Sequence, residues 1–501
     1  MLRPDARSAA RALLLFALAL GVVGEIALDG PAPGINVPLM TLLVLAVGWA
    51  LRRPGRAPDP LDAWLPITAV VLASGIAVRA DPFVGLLDLA GAAAFTGASV
   101  AAFSGLAITR RSLSVILVMG AWVGVSMMAG TARLIGAARP GPRQQPRTLP
   151  TWLGPVARGL VLALPLVVIL AALFASADPI FRRGMDDLLG FHIDLGDLPA
   201  RVMVVLAISW LVGGLLAVAA GGLPAVERAS LGAAAPTRSL GWERTLGTTE
   251  ALVVLVAVDL VVGLFVGLQL AYLFGGLDTL AAAGMTYSDY ARRGYFELVA
   301  AAGLSGGILV ALEYVAVRSR AYLALATVLV GLTLMVLASA ALRLQLYQDA
   351  YGWTELRLYV AVSIVAMAAT LATLAAFLLT DRTRWLGHAM AVIGVVSLIG
   401  LNVMAPAAFV AERNLQRVID PSLVPPDGEA TLDADYLAVL PDDAIPAIVT
   451  ALPRLPTQEA ERLHDLLLDR RIELFNDPAY ASPFAWNLGR QRAKEALRAL
   501  P

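Results

Sequence analysis

The sequence predicts an all-α, polytopic transmembrane helix bundle of about twelve spans with a small C-terminal helical domain. Two observations predict this class. Of the 501 residues, 58% are hydrophobic and 15% are charged, against roughly 45–50% and about 25% in an ordinary soluble protein. Mean hydropathy is +0.75, so the chain carries more apolar surface than one water-soluble core could bury. A lipid bilayer is the expected solvent, and membrane lipids are the expected partners.

Charge and residue types exclude several classes of protein. The chain has 38 basic and 38 acidic residues, so no overall positive field would attract nucleic acid, and we expect no nucleic-acid partner. The absence of cysteine excludes disulfides, thiolate nucleophiles and cysteine-ligated metals. His192, His388 and His464 lie too far apart in sequence to form a local metal motif. We therefore expect no cofactor and no metal site.

The predicted spans are apolar runs of about 20 residues, which can cross the bilayer core as helices because every backbone polar group is then satisfied internally. An outer-membrane barrel is excluded, since its strands alternate with a period of two residues and these runs are continuously apolar. The runs lie at 11–28, 35–51, 61–78, 83–108, 113–132, 156–177, 198–221, 248–274, 295–317, 322–342, 356–379 and 386–411.

Composition divides the chain into four predicted regions. Residues 1–132 form an N-terminal region of five spans, and residues 133–155 form a linker rich in proline and arginine. Residues 156–411 form a core of seven spans. The polar residues 412–501 are expected to form a small soluble helical domain that packs on the membrane part.

Leucines in the polar tail recur at helical spacing, with charged residues between them. The pattern predicts a helix over 457–474 whose apolar face packs on neighbouring helices. The leucines are Leu463, Leu466, Leu467 and Leu474.

Arginines in short loops predict the orientation, because cytoplasmic loops are enriched in basic residues. In the N-terminal half they fall on alternate loops and place the N-terminus inside; they are Arg3, Arg7, Arg11, Arg52, Arg53, Arg56, Arg110 and Arg111. Counting onward puts the loop with Arg318 and Arg320 outside, against the rule. We expect an even number of spans with both termini inside, in the inner membrane of a bacterium.

An acidic residue inside a span costs about 2.5–3.5 kcal/mol at the helix centre and by default marks a functional pathway. Asp259 lies near the middle of the eighth predicted span and begins an i+4 series of small residues that permits close helix packing. Two interpretations stay open: a protonated or hydrogen-bonded structural residue, and a proton or cation relay. With Gln269 and Glu297, Asp259 forms the expected polar centre. For Asp88 the structural interpretation is favoured.

Two segments rich in Tyr, Gly and Arg follow predicted spans, at 286–298 and 343–357. One interpretation is aromatic anchoring at the lipid–water interface with tight glycine turns. The other is a polar vestibule, because the loops that carry the segments are separated by two crossings and open on the same side. Its residues would be Tyr287, Tyr290, Arg292, Arg293, Tyr347, Tyr351 and Arg357.

Several short segments carry a resemblance to known families. They lie at 176–181, 272–276, 286–298, 343–347, 350–357, 432–437 and 486–490. Through them, the chain from about residue 176 to its C-terminus resembles a bacterial multi-pass membrane family filed under the domains of unknown function numbered 4153 and 4173. The resemblance implies a helical membrane fold and supplies no activity.

The sequence names no reaction. Gly303 to Gly306 has the form found around the nucleophile of intramembrane rhomboid proteases, but His388 lies at a different depth and could not act as a base for Ser305. We therefore favour a non-catalytic protein, transport-like or signal-coupled, with its polar centre near Asp259. The alternatives are a membrane enzyme acting on a lipid or lipid-linked substrate, and a structural or assembly factor.

Overall fold

The computed structural model describes residues 6–28, 32–52, 58–111, 198–221, 247–274, 295–426 and 431–500, together with Gly428 and isolated positions between 116 and 138. Every regular element within these residues is a helix. Seven of the described helices are long and apolar enough to cross a membrane, which supports a membrane-embedded protein. They are Pro60–Val78, Pro82–Phe103, Arg201–Ala219, Thr248–Gly267, Arg320–Tyr351, Glu355–Leu379 and Thr383–Met404.

The first group of helices comes from the N-terminal part of the chain. Its members are α1 (Ala6–Leu28), α2 (Asn36–Ala50), α3 (Trp64–Val78), α4 (Pro82–Phe103) and α5 (Leu198–Gly221). Helix α1 packs along α5 and α3 packs along α4. A Cβ at Gly21 would collide with Ser209, so glycine permits the close approach of α1 and α5. Buried Ala17 and Leu216 fill the seam between the same two helices.

The second group packs around one long helix. Its members are α6 (Thr248–Phe274), α7 (Tyr295–Val315), α8 (Arg320–Tyr351), α9 (Glu355–Leu379) and α10 (Leu386–Met404). Helix α8 contacts α6, α7 and α9, and its buried Leu329, Leu337 and Leu344 lie in the largest apolar cluster of the described residues.

The C-terminal layer is formed by residues 406–500. It contains α11 (Pro406–Ile419), α12 (Ala434–Val439), α13 (Ile445–Ala451), α14 (Thr457–Asn476) and α15 (Leu488–Arg498). The helix predicted over 457–474 is confirmed as α14, and its Leu463, Leu467 and Leu474 are buried against the other helices of the layer. The same core includes Leu358 of α9, so the layer packs directly on the end of an apolar helix.

Two predicted span boundaries were wrong. The run at 386–411 is divided, because Ala405 adopts a left-handed conformation with φ 54° between α10 and α11. Pro406 disfavours the right-handed helical conformation at the residue before it and suits the first position of α11. The run at 322–342 is too short, since α8 continues to Tyr351 and keeps Leu344 and Gln348 buried. The number of about twelve spans stays a prediction; much of 113–132 and all of 156–177 lie outside the described residues.

One end of the bundle is rich in arginine. The start of α3 and the start of α10 lie there side by side, since the rings of Trp64 and His388 are 5.0 Å apart. Asp62, just before α3, accepts hydrogen bonds from the backbone at Ile108 and Thr109, which follow α4. Described basic residues in the connections at this end are Arg52, Arg110, Arg111, Arg318, Arg320, Arg382 and Arg384. We call it the arginine end.

The C-terminal layer lies at the opposite end. The Ala32 N–H, beyond the far end of α1, donates to the Ala479 carbonyl at 2.9 Å. Helix α1 has 23 residues and is about 35 Å long, so its N-terminus lies at the arginine end. The expectation that both termini share one side was therefore wrong. Helix α10 begins at the arginine end and leads the chain into the layer at the other end.

Candidate functional site

Asp259, the centre of the predicted polar site, lies in the middle of α6. Both of its carboxylate oxygens are buried and have no hydrogen-bond partner among the described residues. Position 263, one turn further on, is packed against Leu332 of α8, as expected for a small residue at a helix contact. The side chains of Gln269 and Glu297 lie outside the described residues. A polar centre joining these three residues stays a prediction.

The structure brings together three of the seven predicted vestibule residues. The rings of Tyr347 and Tyr351 meet edge to face at 5.2 Å, and the Arg357 guanidinium lies 3.9 Å from the centre of the Tyr347 ring. These tyrosines lie on the last turns of α8 and not in a loop, which corrects the expected placement. The other four predicted residues fall outside the part that the structure describes: Tyr287, Tyr290, Arg292 and Arg293.

The turn between α8 and α9 is held by the C-terminal layer. Gly352 has φ +81°, and a Cβ there would meet the Asn414 side chain, so this position favours glycine. Asn414 accepts from the Trp353 N–H and donates to the Trp353 carbonyl, each at 2.8 Å. Arg417 donates to the backbone carbonyls at the end of α8, including that of Ala350 at 3.0 Å. The layer therefore closes the C-terminal end of α8.

Asp81 lies where this turn meets the first group of helices. It caps α4, because one carboxylate oxygen accepts from the backbone N–H groups of Phe83 and Val84 at 2.9 and 3.0 Å. The other oxygen accepts from the Tyr359 hydroxyl of α9 at 2.6 Å. Asp81 is 2% exposed, so both interactions are shielded from water.

Glu355 brings a second carboxyl to the same place. Its carboxyl lies close enough to that of Asp81 for the two groups to interact electrostatically. Two carboxylates repel each other at a buried site unless one of them carries a proton. The Glu355 N–H donates to the Tyr436 hydroxyl of the layer at 3.1 Å, and burial raises the pKa of Tyr436. An acidic pair is thus enclosed by tyrosines from a span and from the layer.

A second buried chain of polar groups runs beside this pair. The Asn402 amide of α10 donates to both oxygens of Asp88 at 3.1 and 3.0 Å. A Cβ at Gly75 would collide with the Asp88 carboxylate, so the glycine makes room for it. Arg79 donates to the Asn402 carbonyl and lies 3.4 Å from Asp443 of the layer. The hydrogen bonds of Asp88 agree with the structural interpretation of this residue.

Asp443 attaches the layer to the turn between α3 and α4. Its second oxygen accepts from the Ala80 N–H at 2.6 Å. Burial raises the pKa of the Asp443 carboxyl, while the Ala80 N–H and the Arg79 guanidinium oppose that shift. The Asn487 amide of the layer donates to the carbonyls of Ile76 and Arg79 at 2.8 Å. Each of these interactions joins the layer to the end of a membrane helix.

We call this set of residues the junction cluster. Its members share one position, between the ends of α3, α4, α8, α9 and α10 and the C-terminal layer. They are Arg79, Asp81, Asp88, Glu355, Arg357, Tyr359, Asn402, Tyr436 and Asp443. Chemically the cluster can hold and exchange protons. No group of three or more potential metal ligands occurs in the described residues.

Sequence reasoning missed most of the junction cluster. Asp81 carried a usable signal, because Asp followed by Pro at the start of an apolar run is typical of a helix N-cap. Asp443 and Tyr436 carried none, since they lie 363 and 81 residues from Ala80 and Glu355, the backbone groups that they bind, and no local pattern connects them.

Comparison with known proteins supports the family and adds no activity. A family model described as a domain of unknown function (DUF4153) matches residues 67–451, a range that contains every member of the junction cluster. No curated protein and no solved structure matches the chain. Membership of the second family that the sequence resembles, numbered 4173, stays a prediction. Since the matched range covers more than half of the chain, the chain belongs to the DUF4153 family of unknown function.

Proposed function

We propose that this chain is a non-catalytic, signal-coupled protein of the bacterial inner membrane. In this proposal, the protonation state of the junction cluster sets how tightly the C-terminal layer is held against the spans. The observation that carries the proposal is the close approach of the Asp81 and Glu355 carboxyl groups, beside Tyr359 and Tyr436. The pair joins two membrane helices directly beneath the layer.

Removal of the shared proton would place two negative charges in contact at a buried site. Such charges repel strongly where water cannot screen them. Relief requires the helix ends or the layer to move apart, or water to enter. Tyr436 and Asp443 attach the layer at the same place, so a change at the pair would be transmitted to the layer.

The proposal also includes an orientation. Basic residues collect at the arginine end, whereas the described basic residues in the turns and first helical turns at the other end are Arg79, Arg201 and Arg357. By the positive-inside rule the arginine end faces the cytoplasm. The C-terminal layer and the junction cluster then face the opposite side, where they would respond to conditions outside the cytoplasm.

Cysteine labelling tests the orientation, because the native chain has no cysteine. Thr457→Cys in the layer and Thr380→Cys at the arginine end are both at exposed positions. An impermeant thiol reagent applied to intact spheroplasts should label the first variant and not the second. Labelling of Thr380→Cys alone would show that the arginine end faces outwards, contrary to the proposed orientation.

Hydrogen–deuterium exchange tests the coupling. In the wild type, the protection of α12 and α13, measured relative to the intrinsic exchange rate at each pH, should fall as the pH is raised from mildly acidic to mildly alkaline, because the pair loses its shared proton. Glu355→Gln keeps a hydrogen-bond donor without charge, so its protection should stay constant across that range. Glu461→Gln, an exposed residue of α14, is the matched control. Equal pH dependence in all three proteins would contradict the proposal.

A transport role is the second candidate. It is favoured by Asp259, whose buried carboxylate has no partner within the described residues and whose depth suits a proton or cation relay. If transport is the function, Asp259→Asn should produce the same phenotype as deletion of the gene, while the protein is still expressed and folded. Wild-type behaviour of both Asp259→Asn and Asp259→Leu would remove this candidate.

The remaining alternatives have less support. A lipid-modifying enzyme would place an acidic pair in a cleft of lipid size; a cavity of about 300 Å³ at this end has Asp443 of the junction cluster in its wall. Ser305 donates to the Ala301 carbonyl of its own helix at 2.9 Å, as a packing residue does. A structural or assembly role stays open as a further alternative.

A further inference from the structure

A cavity of about 300 Å³ lies where α3 and α10 end and the C-terminal layer begins. Its walls include Arg79, the residue after α3, and Met404, the last residue of α10. The left-handed Ala405 turns the chain here, so that α11 departs from the direction of α10. Both apolar helices end at this level, which places the cavity at the membrane surface.

Four charged side chains line the cavity. Arg79 and Asp443 pair with each other at 3.4 Å. Glu412 of α11 and Arg492 of α15 are exposed, and neither makes an ion pair or a hydrogen bond with any residue that the structure describes. The cavity therefore offers a ligand one guanidinium and one carboxylate, on separate helices. The rest of the wall is largely apolar and includes Ala408 and Phe409.

An exposed apolar stripe runs along α10 towards this cavity. Its residues recur at intervals of four, three and four positions, which places them on one face of the helix. They are Val392, Val396, Ile399 and Val403, with exposed fractions of 38%, 63%, 36% and 76%. Eleven residues of helix rise about 16 Å, close to half of a bilayer core about 30 Å thick. The stripe thus has the length of one leaflet.

We propose that this cavity binds the headgroup of a phospholipid that carries both a phosphate and a primary ammonium group. Arg492 binds the phosphate and Glu412 binds the ammonium, while the acyl chains lie along the apolar stripe of α10. The matched pair of opposite charges selects a zwitterionic headgroup over an anionic one. The neighbouring Arg79–Asp443 pair places the bound lipid directly beside the junction cluster.

Native mass spectrometry of the purified, delipidated full chain tests this proposal. The probes are phosphatidylethanolamine, phosphatidylglycerol, phosphatidylcholine and free phosphoethanolamine. We expect phosphatidylethanolamine to be retained best. Phosphatidylglycerol lacks the ammonium, and phosphatidylcholine has no N–H to donate to Glu412. Free phosphoethanolamine should bind far more weakly, because it has no acyl chain for the stripe.

Two variants locate the site. Arg492→Gln and Glu412→Gln should each weaken phosphatidylethanolamine retention about threefold, the range expected for a partly exposed ion pair. The matched controls, Arg454→Gln and Glu461→Gln, change exposed residues of the layer outside this cavity and should leave retention unchanged.

Three outcomes would overturn the proposal. They are equal retention of all three lipids, equal loss in the controls, and binding of free phosphoethanolamine as tight as that of the lipid. Both glutamine variants lie at exposed positions, so misfolding is not expected; wild-type thermal unfolding will confirm this for each.

Discussion

Asp259 and the junction cluster deal with buried carboxyl groups in opposite ways. In α6 a single carboxylate lies in the middle of an apolar helix with no hydrogen-bond partner among the described residues. At the junction Asp81 accepts two backbone N–H groups and a tyrosine hydroxyl, and its carboxyl lies beside that of Glu355. A partnered carboxyl stabilises the contact that it makes, whereas an unpartnered one costs stability and is retained for function. Substitutions at the two places should therefore have opposite effects on stability.

The largest effect is expected at Asp81. Asp81→Ala removes the N-cap of α4, about 1 kcal/mol, and leaves the Tyr359 hydroxyl without its acceptor, about 1–3 kcal/mol. The free energy of unfolding should fall by about 3 kcal/mol. Asp81→Asn, which keeps the cap, should lose less. Thermal unfolding in detergent measures both losses. An unchanged unfolding midpoint for Asp81→Ala would contradict the stabilising role assigned to Asp81.

Asp259→Leu should act in the other direction. It replaces a carboxyl that has no hydrogen-bond partner among the described residues with an apolar side chain, so stability should rise by about 1–2 kcal/mol. The same unfolding assay measures the gain, with Val258→Leu as a control for added side-chain volume on α6. A loss as large as that of Asp81→Ala would mean that Asp259 is held by partners too.

Asp443 should show the effect of pH. Its pKa is raised in the folded protein, so the protonated carboxyl favours the docked layer. That contribution is present below the ordinary carboxyl pKa and is lost as the pH rises through the raised value. Asp443→Asn removes the titration, so the unfolding midpoint should vary less with pH in the variant than in the wild type. A steeper pH dependence of the unfolding midpoint in the variant would contradict the raised pKa of Asp443.

The smallest effect is expected at Arg357. Arg357→Lys keeps the charge but loses the planar group that stacks on Tyr347. The loss should be about 0.5–1 kcal/mol, the value of a cation–π contact that is not fully shielded from water. Arg454→Lys, at an exposed position of the layer, is the control. A loss of several kcal/mol would show that Arg357 acts inside the junction cluster rather than at its edge.

The sequence predicted local features well and long-range contacts poorly. Helices such as α5, α6 and α9 were predicted nearly to the residue, because continuous apolar runs have one stable form in a bilayer. The break at Ala405 was missed, although Pro406 was the signal for it.

The candidate site was predicted only in part. Tyr347, Tyr351 and Arg357 were found because they lie close together in sequence, in a segment rich in Tyr, Gly and Arg. The pairing of Asp81 with Tyr359 joins residues 278 positions apart, and the pairing of Arg79 with Asp443 joins residues 364 apart. No periodic pattern reports such contacts. They depend on which helices pack side by side.

The central claim is that the junction cluster holds a shared proton at neutral pH. Infrared difference spectroscopy of the carboxyl C=O stretch measures this most directly, with acid minus alkaline spectra of the full chain in lipid. We predict a protonated carboxyl band at neutral pH that disappears in both Asp81→Asn and Glu355→Gln and persists in Asp259→Leu. A band that survives both junction variants, or one that only Asp259→Leu removes, would contradict the account.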